Sequence, residues 1–188
     1  AAALAGRIER AWQDRWEREG TFHAPNPVGS LRDGFEQVRD RPRFFLNDMF
    51  PYPSGDQLHV GHPLGYIGSD VYGRYLRMNG HNVLHTMGFD AFGLPAENYA
   101  IKNGISPRKA IDENTTRFKK QLIQMGFSYD WSREIDSTDP KYYKWTQWFF
   151  LLLHKRGLAY QQESLQWWCP HDKTVLARPH RTAVAQAS

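Results

Sequence analysis

The chain has 188 residues, a formal net charge of +4, and 40% hydrophobic and 14% aromatic content, which is ample for a folded core and argues against general disorder. Its mild basicity permits an RNA partner without requiring one. Cys169 is the only cysteine, which excludes an intramolecular disulfide and favours a reducing compartment. No apolar run reaches membrane-spanning length and the opening alanines are too few for a signal segment, so a cytoplasmic chain without membrane association is expected. The absence of an initial methionine suits a processed or partial sequence.

In chain order, residues 7–19 place Ile8, Ala11, Trp12, Arg15 and Trp16 at helical spacing, so this segment reads as an amphipathic helix stopped by Gly20. Residues 23–40 mix proline, glycine and charge and read as an arm. Residues 43–48 open with an apolar, aromatic run that predicts a buried strand. Pro51, Pro53, Ser54 and Gly55 then break the chain into a tight loop. Residues 57–79 have helical character and Gly80 ends them. Residues 82–87 read as a second strand. Strand, helix, strand at this spacing predicts a parallel, right-handed βαβ unit. Ligands of open parallel sheets sit beyond the carboxyl ends of the strands. The 50–62 loop and Gly88-Phe89-Asp90 both leave strands at that edge, so these distant segments are expected to converge on one crevice.

His59 and His62 fall at the start of the predicted helix, at i and i+3. Strand, Pro/Gly loop and helix start aim N–H groups and positive dipole at an anion, which suits nucleotide phosphate; a surface coincidence or a metal pair fits the spacing too. Gly61, Gly65 and Gly68 leave one helix face nearly bare. At about 1 kcal/mol each against alanine, they predict close approach of a base or a backbone. Asp56, Asp70, Arg74 and Arg77 exclude a membrane dimerisation helix. No G-x-G-x-x-G follows the first strand, which disfavours NAD-type binding.

Further on, 95–102 should be a short helix ended by Asn103-Gly104. Ser106 and Pro107 look like N-cap and first-turn proline of a helix reaching about Met125. Asp139-Pro140 starts a helix ended by Gly157, whose Tyr142, Trp145, Thr146, Trp148, Phe149, Leu152 and Leu153 read as a core-facing stripe. Lys119, Lys120, Lys141 and Lys144 could reach RNA, but solvated helix faces are the preferred reading. His81 and His85 read as structural. Cys169 and His171 supply only two of the four ligands a structural zinc takes, so no metal site is expected.

His59-Val60-Gly61-His62 resembles the His-x-Gly-His signature of class I aminoacyl-tRNA synthetases. Pro51-Tyr52-Pro53-Ser54-Gly55 before it, and the run from Gly88 through Asp90 to Asn98 after it, resemble the leucyl branch of that family. The likeness extends from about Ile8 to Ala177. It implies an α/β fold: a Rossmann-like parallel sheet with flanking helices, the first half of a class I catalytic domain. Residues 1–40 would be the N-terminal helix and arm, 41–160 the half-domain, and 161–188 the start of the connective, editing insertion. After Ala177 the chain departs from the family's pattern, and this tail is expected to be structureless. The resemblance further implies activation of leucine by ATP, with Mg2+ screening the phosphates, and transfer to tRNA(Leu). His59 and His62 would act on the ATP phosphates as catalytic and binding residues, and Gly61 would admit adenine. Phe50 and Tyr52 would shape the leucine pocket, and Asp90 would hold the ammonium group, although an N-cap role for Asp90 remains open. Full-length members are usually monomeric. The family's Lys-Met-Ser-Lys-Ser signature does not occur here, so a remnant or a binding module without turnover is the alternative.

Overall fold

A parallel pair of strands carries the architecture: β1 (Arg43–Asn47) lies beside β2 (Asn82–Thr86), in register from Arg43 opposite Asn82 to Asn47 opposite Thr86. The helix between them, α2 (Gly61–Met78), completes the strand–helix–strand unit. The computed structural model describes residues 2–53, 57–171 and 173–176, and Ser54-Gly55-Asp56 of the loop and the tail beyond Leu176 lie outside the described residues. The mixed α/β architecture with parallel strands and flanking helices expected from the sequence is present.

The chain divides into two units, Ala1–Trp145 and Thr146–Ser188. In the first, α1 (Ala2–Glu19) precedes the arm, and α3 (Leu94–Asn103) and α4 (Pro107–Gln124) follow the strands. Two further short strands, β3 (Gly88–Phe89) and β4 (Ile135–Asp136), pair in parallel, a ladder the sequence did not suggest. The core gathers Tyr66 of α2, Met87, Leu122 of α4, Phe127 and Tyr129, with Phe50, Leu58 and Trp131 packed against it. A buried carboxylate fixes α2: Asp70 accepts the Ser128 N–H at 2.6 Å and Arg74 Nε at 2.7 Å. Arg74 also lies across Trp16 and Phe22, which fastens α1 and the arm to the same helix. Burial pulls the Arg77 guanidinium down to about 10, against the opposing charge of Asp70, so it stays cationic while bonding Ser128 Oγ at 2.7 Å. In the second unit, β5 (Trp168–Cys169) and β6 (Thr174–Val175) form an antiparallel pair closed by Leu176 N–H to Trp167 O at 2.8 Å.

Helix punctuation follows the chemistry of the residues. Gly20, Gly80, Gly104, Gly126 and Gly157 all take the positive φ that stops a helix without a Cβ penalty. Ser106 caps α4 by accepting the Lys109 N–H at 3.2 Å.

Three expectations change. Helix α2 begins at Gly61, leaving residues 57–60 as the tail of the loop, where the Leu58 N–H bonds Gln121 Oε1 at 2.9 Å. Strand β1 alternates between half-buried and exposed, with Phe45 60% exposed, because successive side chains point to opposite faces and α2 packs on the face of Phe44 and Leu46. Helix α5 (Pro140–Lys155) forms where expected but buries none of its residues, and Trp145 is 63% exposed. Apolar periodicity records which face a helix could bury; burial also needs a second surface against that face.

Candidate active site

The loop after β1 and the start of α2 are joined by one aromatic residue. Tyr66, one turn beyond His62, donates its hydroxyl to the Met49 carbonyl at 3.0 Å and packs in the core that Phe50 covers. Burial, with the nearby Asp48 charge, pushes the Tyr66 phenol up to about 12, so it acts as a donor at every physiological pH. The far side of the loop meets β3: the Asp90 N–H bonds Pro51 O at 3.1 Å. A Cβ on Gly88 would collide with the Ile135 carbonyl and sit 2.7 Å from the Phe50 ring, so only glycine admits Phe50 here. The two sequence-distant segments therefore do converge at the carboxyl edge of the strands. Helix α4 braces the loop at both ends of its undescribed centre, through Asn114 Nδ2 to Pro53 O at 3.0 Å and Gln121 to Leu58.

His59 and His62 stand with ring centroids 3.9 Å apart. The His59 N–H donates to His62 Nδ1 at 3.2 Å, and the Gly61 N–H donates to His59 Nδ1 at 3.1 Å. An Nδ1 that accepts is unprotonated, so each neutral ring carries its proton on Nε2 and can donate there. Burial, then the neighbouring His59, holds His62 below the ordinary histidine range, and the His59 backbone bond opposes this only in part. Two neutral N–H donors beside the N-terminus of an 18-residue helix can contact anionic oxygens without carrying full charges of their own. The Cβ position of Gly61 is taken by the His59 ring at 2.9 Å, whereas Gly65 and Gly68 face open space. The bare face thus lies further along α2 than Gly61.

Asp90 is half-buried. Its Oδ1 is 3.5 Å from Ser137 Oγ, and that hydroxyl accepts the Ala91 N–H at 2.8 Å. The N-cap of α3 is Gly93, with φ 127°, so Asp90 does not cap that helix. Tyr52 is 56% exposed beside the buried Pro51 and Pro53. His85, read as structural, is fully buried and bonds Asp48 Oδ2 through Nε2 at 2.9 Å. Asp48, Ser69, Tyr129 and Ser137 were not singled out from the sequence, and only Asp48 carried a local signal, an aspartate closing a strand.

Lys119 is engaged with Glu134 and sits over the Trp131 ring. Among the described residues, no group of three or more His, Cys, Asp or Glu is placed to hold a metal ion, and no helix is long and apolar enough to cross a membrane.

Comparison with known proteins adds identity to this geometry. The family model described as tRNA synthetases class I (M) matches residues 44–183. The leucine–tRNA ligase of Mycobacterium leprae (strain Br4923) is 58% identical over 153 residues, covering 81% of this chain and 16% of the relative. That of Mycobacterium avium (strain 104) is 57% identical over 155 residues, with the same coverage. The chain therefore spans about a sixth of the length of these relatives. The crystal structure of the ternary complex of Agrobacterium radiobacter K84 agnB2 LeuRS-tRNA-LeuAMS superposes with a TM-score of 0.76 at 35% identity, over 89% of this chain and 20% of that one.

Proposed function

This chain belongs to the class I tRNA synthetase family, and on that premise we propose that it supplies the ATP and leucine half-site of a leucine–tRNA ligase. The reaction joins leucine to AMP: a carboxylate oxygen of leucine bonds the α-phosphorus while the bond to pyrophosphate breaks. The leucyl group then passes to tRNA(Leu). In-line displacement of this kind asks the protein for positioning and charge stabilisation more than for covalent chemistry.

The observation that carries the reading is the paired His59 and His62 at the start of α2, at the strand edge where Gly88 packs on Phe50 and the Asp90 N–H bonds Pro51 O. In this proposal the two Nε2–H groups donate to ATP phosphate oxygens and favour charge moving onto the departing pyrophosphate. The open surface beside Gly65 and Gly68 receives the adenine, with Gly61 at its near end. Asp90 accepts from the leucine ammonium, and Phe50 and Tyr52 wall its side chain. Such walls discriminate one methylene by only about 1–3 kcal/mol. Magnesium, when bound, neutralises phosphate charge. Names of relatives support this reading: two are leucine–tRNA ligases, and the superposed complex holds tRNA and LeuAMS. Residues 161–188 are taken in this reading as the opening of the connective insertion, and a cytoplasmic, monomeric full-length enzyme belongs to the same proposal.

Leucine-dependent ATP–pyrophosphate exchange on the purified chain tests it, with His62→Ala and Asp90→Ala beside the wild type. Exchange that requires leucine and falls in both variants supports the half-site. Exchange preferring isoleucine or valine overturns the substrate, and a folded chain with no exchange and no leucine or ATP binding overturns the half-site itself.

A further inference from the structure

The end of β1 is fastened by a buried carboxylate to three separate parts of the fold. The Asp48 side chain is 8% exposed. Its Oδ1 accepts from Ser69 Oγ on α2 at 2.5 Å, and its Oδ2 accepts from His85 Nε2 on β2 and from the Tyr129 hydroxyl, each at 2.9 Å. Aspartate is a poor strand residue, and a buried carboxylate is costly unless its lone pairs are filled, so three donors here make a high-stakes cluster. The next residue, Met49, is held to the same helix by the Tyr66 hydroxyl. The one after it is Phe50, seated against Gly88. Two consecutive residues are thus pinned to α2 immediately before the amino-acid side of the site begins, and α2 is the helix that opens with Gly61 and His62.

We propose that Asp48 is a positioning residue that sets the spacing between Phe50 and His62, and so between the leucine and phosphate halves of the site. The inference rests on the half-site reading. Asp48 points into the fold and is fully engaged, so it acts through Met49 and Phe50 and does not touch substrate. A merely structural carboxylate would stabilise without setting that spacing, and the fold contains a matched control. Asp70 is a buried carboxylate on α2, satisfied by Ser128 and Arg74 away from the loop.

The test compares Asp48→Asn with Asp70→Asn in the purified chain, by backbone amide and histidine ring NMR without ligand and by calorimetric titration with LeuAMS. Asp48→Asn is expected to displace the Met49, Phe50 and Asp90 amides and the His62 ring signals, while Asp70→Asn acts mainly on residues 126–128. It is also expected to weaken LeuAMS binding by about tenfold or more, because the leucine and phosphate halves are no longer preorganised at the spacing the ligand spans, with little change in Asp70→Asn. Equal displacement of Met49 and Phe50 in both variants, or none in Asp48→Asn, overturns the assignment. A folded wild type that fails to bind LeuAMS overturns the half-site reading alone, and the ligand-free spectra still decide the role of Asp48. If Asp48→Asn does not fold, Ser69→Ala and Tyr129→Phe, each losing one bond, must move the same amides in the same direction; if neither does, the assignment fails.

Discussion

His59 and His62 share a single hydrogen-bonded turn in which each Nδ1 accepts a backbone N–H, so each neutral ring carries its proton on Nε2. This arrangement makes the pair a neutral donor clamp, and its state depends on pH through His62.

Burial and the neighbouring His59 hold the folded-state pKa of His62 below 6.5. The unfolded chain therefore binds the proton more readily, and stability rises with pH across that interval. The contribution is complete above about pH 6.5 and is lost as pH falls through the lowered folded value. An NMR titration of the His62 ring should place its midpoint below that of an unfolded peptide. A midpoint at or above the peptide's would remove the neutral-clamp argument. Pyrophosphate or ATP should raise the midpoint, since a bound anion favours the imidazolium.

Gly65 and Gly68 border open space, and alanine is the better helix residue. Gly65→Ala should stabilise the ligand-free chain by about 0.5–1 kcal/mol, read by urea unfolding. If this face receives adenine, the same change should weaken ATP binding. Stabilisation with unaltered ATP affinity would place the nucleotide elsewhere.

Gly88→Ala should do the reverse. Its new methyl meets the Ile135 backbone and the Phe50 ring, neither of which is a free flexible end. Overpacking of this kind costs about 1–3 kcal/mol, and Phe50 should shift away from β3. A thermal melt within error of wild type would show that β3 and the loop are less tightly joined than the contacts indicate.

Ser106→Ala removes the single side-chain cap of α4, the helix that braces Pro53 and Leu58. A loss of about 1 kcal/mol is expected by denaturant unfolding, and Ser106→Asp should restore most of it. Failure of aspartate to rescue would trace the loss to packing and not to the cap.

Much of this molecule was legible because its signals are local. The βαβ unit, the glycine stops and the Ser106 cap follow from hydrophobic period, backbone φ and side-chain reach within a few residues. The histidine pair needs only one turn of chain. The resemblance to class I synthetases likewise rested on contiguous runs. What the sequence could not supply was the choice among distant partners. Asp48 finds His85 at a separation of 37 residues and Tyr129 at 81, and Ser137 reaches the backbone beside Asp90 across 46. Periodicity marked the α5 stripe as apolar but could not say whether a surface would meet it, and the structure fully buries none of it. Short-range rules fix what each segment is. Packing alone decides which buried donor faces which carboxylate, because that choice is made by the energy of leaving either one unpaired.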